Sequence, residues 1–265
     1  MSISRKIRQL NLDQIASSGQ CFRWEKIADD TYVIPGLRAG NSYIPDLTVS
    51  GKGEEFLFSC SEADWDSHWA NYFDLSTDYE DRKRRIDSSS DEQAKRAFAY
   101  GSGIRILRQD LWEMIVTFLI SQNNNISRIT NSVKLICERQ GGHFPYPGEV
   151  DPESFMDKSL GLGYRTTYLR DIYEYAEANE GWLDTLRGMS YEEATKELVA
   201  RNGIGPKVAN CICLFGLHHV EAFPIDTHVK QLLIKYYKDG FDFDYYKGIA
   251  GIVQQYLFYY ELNHK

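Results

Sequence analysis

The first 60 residues consist of short runs of β-prone residues separated by turn-forming residues. The runs lie at residues 22–27, 32–34, 43–44, 47–49 and 56–58. The intervening segments, at residues 29–30, 35–36, 39–41 and 51–53, are rich in Asp, Gly, Pro and Asn. Aromatic and β-branched residues favour strands, whereas these turn residues favour reversals of the chain. The spacing therefore predicts an antiparallel sheet rather than alternating strand–helix units.

The pattern changes to a helical period after Ser61. Trp65, Trp69 and Phe73 recur at every fourth position, which predicts a helix in this segment. A loop then ends at Asp91, which is placed as the N-cap of a helix that Glu92 opens.

Beyond about residue 98, almost every segment shows helical spacing, with apolar stripes over residues 111–119, 129–137 and 168–176. Ser190, with Glu193 three residues later, forms a capping box before a further apolar face. The chain is therefore predicted to be an α+β protein. We expect a mixed N-terminal domain with an antiparallel sheet over residues 1–98 and an α-helical domain over residues 99–265.

Composition narrows the class of protein without indicating an activity. Of the 265 residues, 43% are apolar and 26% are charged, as in ordinary globular chains. The net charge of −8 argues against a polyanion as partner, although binding depends on local patches. The five cysteines include no C-x-x-C pair, which predicts a reducing cytoplasm and no disulfide, zinc or iron–sulfur site. Because no signal-peptide pattern and no run of ~20 apolar residues occur, a soluble intracellular protein is expected.

Residues 198–211 contain the most informative local motif. A capped helix runs into Gly203-Ile204-Gly205, and Pro206, whose fixed φ suits a first helical turn, starts the next helix. The glycines permit a tight turn and close approach of another chain, and the free N–H groups of the second helix suit a phosphate. Backbone carbonyls placed to hold a bridging cation belong to Val199, Arg201 and Ile204. The alternative is a helical hairpin that only packs against the rest of the fold and binds no ligand.

A second motif, residues 223–229, places Asp226 at the N-cap of a further helix. Taken alone, such an aspartate is more often a cap than a catalyst. Together, however, G-I-G-P-K at 203–207 and P-I-D-T-H at 224–228 resemble the helix–hairpin–helix DNA glycosylases, which carry a Gly/Pro-rich loop and an essential aspartate. In that superfamily the lysine, here Lys207, marks the lyase-competent branch. The chain lacks the four-cysteine cluster of the iron–sulfur members, and Asn202 stands where the hairpin usually has proline.

Four further segments resemble one family of that superfamily, the 8-oxoguanine DNA glycosylases. They are residues 18–24, 121–129, 161–165 and 250–258, and the correspondence runs in order from about Leu10 to Leu262. The resemblance implies a TBP-like N-terminal sheet and a helix–hairpin–helix motif. It also implies a bifunctional DNA glycosylase/AP lyase that flips out 8-oxoguanine, preferably opposite cytosine, and excises it through a lysine Schiff base and β-elimination.

The resemblance assigns the chemistry to two residues. Lys207 would attack C1′ of the sugar, and desolvation together with the positive end of a helix favours the neutral, nucleophilic amine. Asp226 would remain anionic and stabilise the cationic sugar of the transition state. The alternative interpretations are an exposed lysine that meets phosphate and an aspartate that only caps its helix.

By the same resemblance, the lesion-binding residues are Gly19, Cys211, Gln254 and Phe258. The Gly19 carbonyl would accept the N7–H that 8-oxoguanine has and guanine lacks, Gln254 would meet the Watson–Crick edge, and Cys211 and Phe258 would enclose the ring. Taken singly, Cys211 and Phe258 are more often core residues, and Gly19 a turn.

The remaining site predictions concern the DNA itself. Asn123 would fill the gap left by the lesion, and Tyr164 would act as a wedge in the stacked bases beside the lesion. Arg128 and Arg165 would donate hydrogen bonds to the opposite cytosine. The predicted phosphate-binding residues are Gly203, Gly205 and His228. Arg128 alone is equally compatible with a solvated helix residue, and His228 with a surface histidine. The pair at 218–219 is not assigned to a metal, because adjacent residues point in different directions, and the basic run at 82–85 is interpreted as a solvated face.

The predicted partner is damaged double-stranded DNA, bound by a monomer with no membrane contact. No cofactor is expected to be required, apart from a structural cation at the hairpin, and the location is the cytoplasm, at the nucleoid in a bacterium, or the nucleus. Two other functions remain open. A related enzyme that excises alkylated bases would not need Lys207. A non-catalytic hairpin module that only binds phosphates would tolerate the replacement of Lys207.

Overall fold

The computed structural model describes residues 1–39 and 42–264. The chain forms two compact units. The sheet unit comprises Met1–Arg108 and Ile225–Lys265, and the hairpin unit comprises Gln109–Pro224. This division differs from the two contiguous domains predicted from the sequence, because the C-terminal segment belongs to the unit that contains the N-terminus. The predicted turn at residues 39–41 extends outside the described residues.

The elements are numbered in chain order. The strands are β1 (Ile3–Lys6), β2 (Glu25–Ala28), β3 (Thr31–Ile34), β4 (Leu37–Ala39), β5 (Ser42–Ile44), β6 (Leu47–Lys52) and β7 (Glu55–Phe58). The α-helices are α1 (Leu12–Ser17), α2 (Glu62–Asp64), α3 (Ala70–Tyr72), α4 (Tyr79–Asp87), α5 (Glu92–Tyr100), α6 (Leu111–Ile120), α7 (Ile126–Arg139), α8 (Arg165–Ala178), α9 (Trp182–Arg187), α10 (Tyr191–Val199), α11 (Pro206–Phe215), α12 (Thr227–Tyr236) and α13 (Ala250–Asn263). A π-helical turn, Trp65–Trp69, joins α2 to α3, and 3-10 helices lie at Pro152–Met156 and Lys158–Leu160.

The sheet unit contains an antiparallel sheet in the order β1-β7-β6-β3-β2 and a separate hairpin of β4 and β5. In β6 and β7, alternate residues are buried, so that Val49 pairs with Phe58 on the face that packs into the core. This alternation is what one buried face of an antiparallel sheet requires. The predicted α+β class, with a small antiparallel sheet and a largely helical remainder, is confirmed.

The expectation that the first 60 residues hold only strands and turns was wrong at α1. The Asn11 side chain accepts a hydrogen bond from the Gln14 amide at 3.0 Å and caps this helix, which buries Leu12 and Ile15. A helix of six residues is too short to display a helical period in the sequence. Strand β1 also escaped prediction, because four residues, of which only Ile3 is buried, carry little pattern.

Other local predictions in the sheet unit are confirmed. The helical period through Trp65, Trp69 and Phe73 corresponds to α2, the π-helical turn and α3, and all three aromatic rings are buried in the core. The Asp91 carboxylate accepts a hydrogen bond from the Ala94 amide at 2.9 Å and caps α5, which begins at Glu92.

The C-terminal segment joins the sheet unit through packing and polar contacts. Helix α13 packs against α5 and α12. In the preceding loop, the Tyr237 hydroxyl donates to the Asp91 carboxylate at 2.9 Å, and Arg85 donates to the Lys247 carbonyl at 3.0 Å. The other basic residues at 82–84 each pair with an acidic residue of their own helical segment, so the basic run carries little unbalanced positive charge.

In the hairpin unit, α6 packs against α7, α8 and α11, and the Phe118 and Phe215 rings stack at 5.5 Å between centroids. The expectation of helix in almost every segment beyond residue 98 was wrong for residues 101–110, 140–164 and 237–249, which contain no α-helix. In residues 140–164, closely spaced glycines and prolines explain the difference, because they favour turns over continued helix. Within the described ranges, no helix is long and apolar enough to cross a membrane.

Candidate active site

The hairpin motif forms as its sequence predicts. Ser190 and Glu193 make the reciprocal hydrogen bonds of a capping box at the start of α10, the chain turns through residues 200–205, and α11 begins at Pro206. Gly203 has φ +80, and a Cβ atom there would clash with the Tyr168 ring. Gly205 has φ −85 and faces open space. No side chain in the described part of the chain caps α11, so its first N–H groups remain available to an anion.

Asn202 ties the hairpin to α8. Its side-chain amide donates to the Asp171 carboxylate at 2.6 Å. A proline at this position would have no such donor, so the departure from the family pattern replaces ring stiffness with a hydrogen bond.

Lys207 lies in the first turn of α11, directly after Pro206, and is half-buried. Its Nζ lies 5.7 Å from the centroid of the Phe118 ring, which shields one side of the amine from water. Within the hairpin unit, no carboxylate forms an ion pair with this amine. An amine without a carboxylate partner is open to an incoming electrophile, as a nucleophilic role requires.

Cys211 lies one helical turn beyond Lys207 in α11, on the same side of the helix, and is buried. This geometry is compatible with both the predicted contact to a base and a role in the core. The role of Cys211 in binding a base stays a prediction.

The carbonyl groups of the hairpin differ in their hydrogen bonding. The Arg201 carbonyl accepts the Ile204 amide at 3.1 Å. Among the described residues, no backbone N–H donates to the carbonyls of Val199 and Ile204. Carbonyl oxygens with unused lone pairs fit a monovalent or divalent cation. No cluster of three or more His, Cys, Asp or Glu side chains that would suit a metal occurs in the described parts of the chain.

In the sheet unit, Asp226 caps α12 as predicted, and its Oδ1 accepts a hydrogen bond from the Val229 amide at 2.8 Å. This bond fixes the direction of the carboxylate. His228, in the first turn of the same helix, has a buried Nδ1 with no hydrogen-bonding partner among the described residues. Its ring lies 6.3 Å from the Phe258 ring in an edge-to-face arrangement. The predicted contact of His228 with a phosphate stays a prediction, because this nitrogen is buried.

Gly19 lies against Phe258. It has φ +76, and a Cβ atom there would lie 3.3 Å from the Phe258 ring. A larger residue would therefore have a strained backbone and a close contact with that ring. The preceding Ser18 carbonyl accepts a hydrogen bond from Gln255 at 2.6 Å, which ties this turn to α13. The structure thus brings Gly19 and Phe258 together, as two of the predicted lesion-binding residues.

Gln254 lies one helical turn before Phe258, on the same side of α13. The residue is 4% exposed, and its Oε1 is buried with no hydrogen-bonding partner in the part of the chain that the structure describes. A buried polar atom without a partner costs about 1–3 kcal/mol. The role of Gln254 in reading the polar edge of a base stays a prediction.

In the hairpin unit, three of the four residues predicted to act at the opposite base meet. The Asn123 amide donates to the Tyr164 hydroxyl at 3.4 Å, and Arg165 lies over the Tyr164 ring, with its guanidinium carbon 4.6 Å from the centroid. Tyr164 is 49% exposed, as a wedge requires. Arg128 is exposed on α7 and lines a separate cavity of about 310 Å³, together with Ser127, Asn131, Ser132 and Gly161.

Comparisons with known proteins identify the family of this chain. Residues 2–115 match the family model described as 8-oxoguanine DNA glycosylase, N-terminal domain. An N-glycosylase/DNA lyase of Saccharomyces cerevisiae is 30% identical over 266 residues, covering 87% of this chain and 69% of the yeast protein. The chain belongs to the 8-oxoguanine DNA glycosylase family. It is therefore a DNA N-glycosylase with AP lyase activity.

Two further proteins are similar to this glycosylase over most of its length. An N-glycosylase/DNA lyase of Arabidopsis thaliana is 31% identical, covering 86% of this chain and 66% of the plant protein. A crystal structure of the Clostridium acetobutylicum 8-oxoguanine glycosylase/lyase, in complex with double-stranded DNA containing cytosine opposite 8-oxoguanine, has a TM-score of 0.85. It is 29% identical and covers 99% of this chain and 98% of that one.

The structure adds contacts to the site of the glycosylase that sequence reasoning missed. Phe118 lies beside the Lys207 amine, and Tyr168 lies against Gly203. In the sequence, both residues belong to apolar helical stripes and carry no signal that separates a site contact from a core contact.

We expect Gly203→Ala to destabilise the glycosylase and Gly205→Ala to be tolerated. Alanine at 203 would have to adopt a left-handed backbone against the Tyr168 ring, at a cost of about 1–3 kcal/mol. At position 205, a Cβ atom would have no other atom within 4 Å, and the backbone conformation is one that alanine adopts without strain. Urea unfolding of both variants measures the two free energies. Equal stability of the two variants would contradict the geometry of the hairpin.

Proposed function

We propose that this glycosylase/lyase binds damaged double-stranded DNA and excises 8-oxoguanine, preferentially opposite cytosine, through a Schiff base formed by Lys207. The observation that carries the proposal is the half-buried Lys207 amine, which lies at the start of the hairpin helix without a carboxylate partner in its unit. Family membership and the complex described for the Clostridium acetobutylicum enzyme support the substrate.

The first event is extrusion of the damaged nucleotide, because the bond to be cut is not accessible inside a stacked duplex. The uncapped N–H groups at the start of α11 and the loop at Gly203 and Gly205 hold the DNA phosphates, and His228 in the first turn of α12 provides another polar contact for a phosphate. These contacts carry no information about sequence, and they position the strand for recognition of the base.

Lys207 then attacks C1′ of the extruded nucleotide. Its Nζ lone pair forms the new bond to C1′ as the N-glycosidic bond breaks. The base leaves with the electron pair of the broken bond and takes up a proton, and Nζ loses a proton. Opening of the sugar ring gives a Schiff base between Nζ and C1′. Loss of a proton from C2′ then expels the 3′ phosphate, which is the lyase step.

Asp226 stabilises the positive charge that develops on the sugar during cleavage. The hydrogen bond from the Val229 amide holds one carboxylate oxygen in place, so the charge is oriented before the reaction begins. The capping role and the catalytic role are compatible, because the cap supplies the orientation that electrostatic stabilisation needs.

Discrimination between 8-oxoguanine and guanine rests on the N7 position. The oxidised base has an N7–H donor, which the Gly19 carbonyl accepts. Guanine has an N7 acceptor instead, which would face that carbonyl unpaired at a cost of about 1–3 kcal/mol. The unpartnered Oε1 of Gln254 accepts from the Watson–Crick edge, while Phe258 and Cys211 cover the faces of the ring.

The hairpin carbonyls of Val199, Arg201 and Ile204 are proposed to hold a cation that bridges to a DNA phosphate. The unused lone pairs at Val199 and Ile204 fit such an ion. The ion would neutralise phosphate charge, and no step of the cleavage passes through it.

We expect excision opposite cytosine to exceed excision opposite adenine by at least roughly tenfold, which corresponds to about 1.4 kcal/mol. Cytosine presents N3 and O2 acceptors to the exposed guanidinium of Arg128, whereas adenine presents a donor at N6. Arg128→Ala should therefore reduce the ratio while sparing excision opposite cytosine. Single-turnover rates on four duplexes that differ only in the opposite base measure this preference.

Lys134→Ala, an exposed residue further along the same helix, is the matched control and should leave the ratio unchanged. Equal wild-type rates opposite all four bases would contradict the cytosine preference, although not the excision of 8-oxoguanine. Release of alkylated bases with no release of 8-oxoguanine would instead favour the activity of the related enzyme.

A further inference from the structure

One side of α8 lies against the hairpin loop, residues 200–205. Three consecutive loop residues each contact a different residue on this side of the helix: Arg201 contacts Tyr175, Asn202 contacts Asp171, and Gly203 contacts Tyr168. The three helix residues are spaced by four and three positions, which places them on one side of an α-helix. The loop therefore runs along α8 in the direction opposite to that of the helix.

The two outer contacts involve tyrosine rings. The guanidinium carbon of Arg201 lies 4.0 Å from the centroid of the Tyr175 ring. A Cβ atom on Gly203 would clash with the Tyr168 ring, so this ring closely covers the backbone of the loop. The rings fill the space beside the loop, but the directional contact of a hydrogen bond is made only between them.

That middle contact joins Asn202 to Asp171. The Asn202 side-chain amide donates to Asp171 Oδ2 at 2.6 Å. The other carboxylate oxygen, Oδ1, accepts from Arg170 Nη2 at 3.2 Å, which holds the carboxylate with Oδ2 directed at Asn202. Among the described residues, Asn202 makes no other hydrogen bond, because neither its backbone N–H nor its carbonyl takes part in one.

The conformation of the loop decides where the first N–H groups of α11 point. Within the loop, the Ile204 amide donates to the Arg201 carbonyl at 3.1 Å, and Gly203 has φ +80. Asn202 lies inside this turn and has no proline ring to limit its φ. The side-chain bond to Asp171 is therefore the hydrogen bond that restrains the chain at this position.

We propose that Asp171 is a positioning residue for DNA binding, which holds Asn202, and with it the hairpin loop, in the conformation that receives a DNA phosphate. The inference rests on the proposed function, because it takes the hairpin as the phosphate-binding surface. Asp171 does not bind the phosphate itself, since a carboxylate repels a phosphate and both of its oxygens are engaged by the protein. It acts by ordering the loop before DNA arrives, which lowers the cost of ordering it on binding.

Equilibrium binding of an undamaged duplex by the full chain tests the proposal. If Asp171 acted only through its charge, its removal would strengthen binding to a polyanion. A positioning role predicts the opposite, so Asp171→Ala and Asn202→Ala should each weaken binding roughly fivefold. The single-turnover rate of 8-oxoguanine excision at saturating protein should change less than about twofold, because the reacting groups are intact.

Glu174→Ala is the matched control. Glu174 is an exposed carboxylate of α8 that also pairs with Arg170, at 3.9 Å, and it has no hydrogen bond or ion pair to the hairpin loop among the residues that the structure describes. Its removal should change the dissociation constant less than about twofold. Unchanged or tighter binding by Asp171→Ala, or an equal weakening by Glu174→Ala, would overturn the proposal.

Asp171→Asn separates the hydrogen bond from the charge. The amide oxygen still accepts from Asn202, so this variant should bind DNA within about twofold of the wild type. Asp171→Ala in the Asn202→Ala background should cost less than about twofold further, because the partner is already lost. A full loss of affinity in Asp171→Asn, or additive losses in the double variant, would overturn the proposal.

Amide hydrogen exchange of the DNA-free protein reports on the loop itself, because the amides of Arg201 and Ile204 are both hydrogen-bonded. Asp171→Ala should raise their exchange rates at least about tenfold, whereas Asp171→Asn and Glu174→Ala should not. Unchanged exchange in Asp171→Ala would overturn the proposal. Faster exchange in that variant, together with no duplex binding by the wild-type protein, would contradict the proposed function and leave Asp171 as the residue that holds the loop.

Discussion

Lys207→Gln is expected to lower excision of 8-oxoguanine by roughly 10³-fold or more while lesion binding is retained. The amide has no nucleophilic lone pair, so the step that forms the new bond to C1′ is lost. The hairpin N–H groups, Gln254 and Phe258 do not use the amine, and they continue to bind DNA. Single-turnover excision and equilibrium binding to the same 8-oxoguanine duplex measure the two effects separately.

Lys196→Gln is the matched control for this change. Lys196 is an exposed lysine of α10 in the same unit, so its replacement removes the same charge away from the start of the hairpin helix. We expect this variant to keep the wild-type rate. Substantial base release by Lys207→Gln would exclude Lys207 as the nucleophile, and it would favour a glycosylase that uses water.

Asp226→Asn is expected to lower the excision rate by about 10²–10³-fold with little change in stability. Asparagine still accepts the hydrogen bond from the Val229 amide and caps α12 well, but it carries no charge to stabilise the cationic sugar. Rate measurements combined with thermal unfolding separate the catalytic effect from the capping effect.

Asp226→Ala provides the comparison, because it removes the cap as well as the charge. It should lose a similar factor in rate and, in addition, about 1 kcal/mol of stability. If Asp226→Asn instead lost that stability and kept its rate, the aspartate would be a cap and not a part of the catalytic machinery.

Local features of the fold were predictable from the sequence because a few neighbouring residues determine them. The caps at Asp91, Ser190 and Asp226 each follow from one polar residue before an apolar face, and all three form. Short elements with few buried residues were not predictable, as α1 and β1 show. The grouping of α13 with the N-terminal unit depends on packing between segments distant in sequence, which periodicity cannot reveal.

The candidate site divides in the same way. Glycines with a positive φ, such as Gly19 and Gly203, were recognisable by residue type and motif. The hydrogen bonds of Arg165 were not, because they go to the backbone carbonyls of Gln122 and Asn123, some 40 residues earlier in the chain, and carbonyls have no sequence signature. For the same reason, only the structure shows that the Oε1 of Gln254 is buried and has no hydrogen-bonding partner among the residues that are described.

Borohydride reduction during incubation with an 8-oxoguanine duplex tests the central claim most directly. A Schiff base between Lys207 and C1′ would be reduced to a stable covalent complex of protein and DNA, which runs as one band under denaturing conditions. We expect this complex with the wild-type protein and with Lys196→Gln, and its absence with Lys207→Gln. Base release by the wild-type protein with no trapped complex, or a trapped complex that persists in Lys207→Gln, would contradict the account.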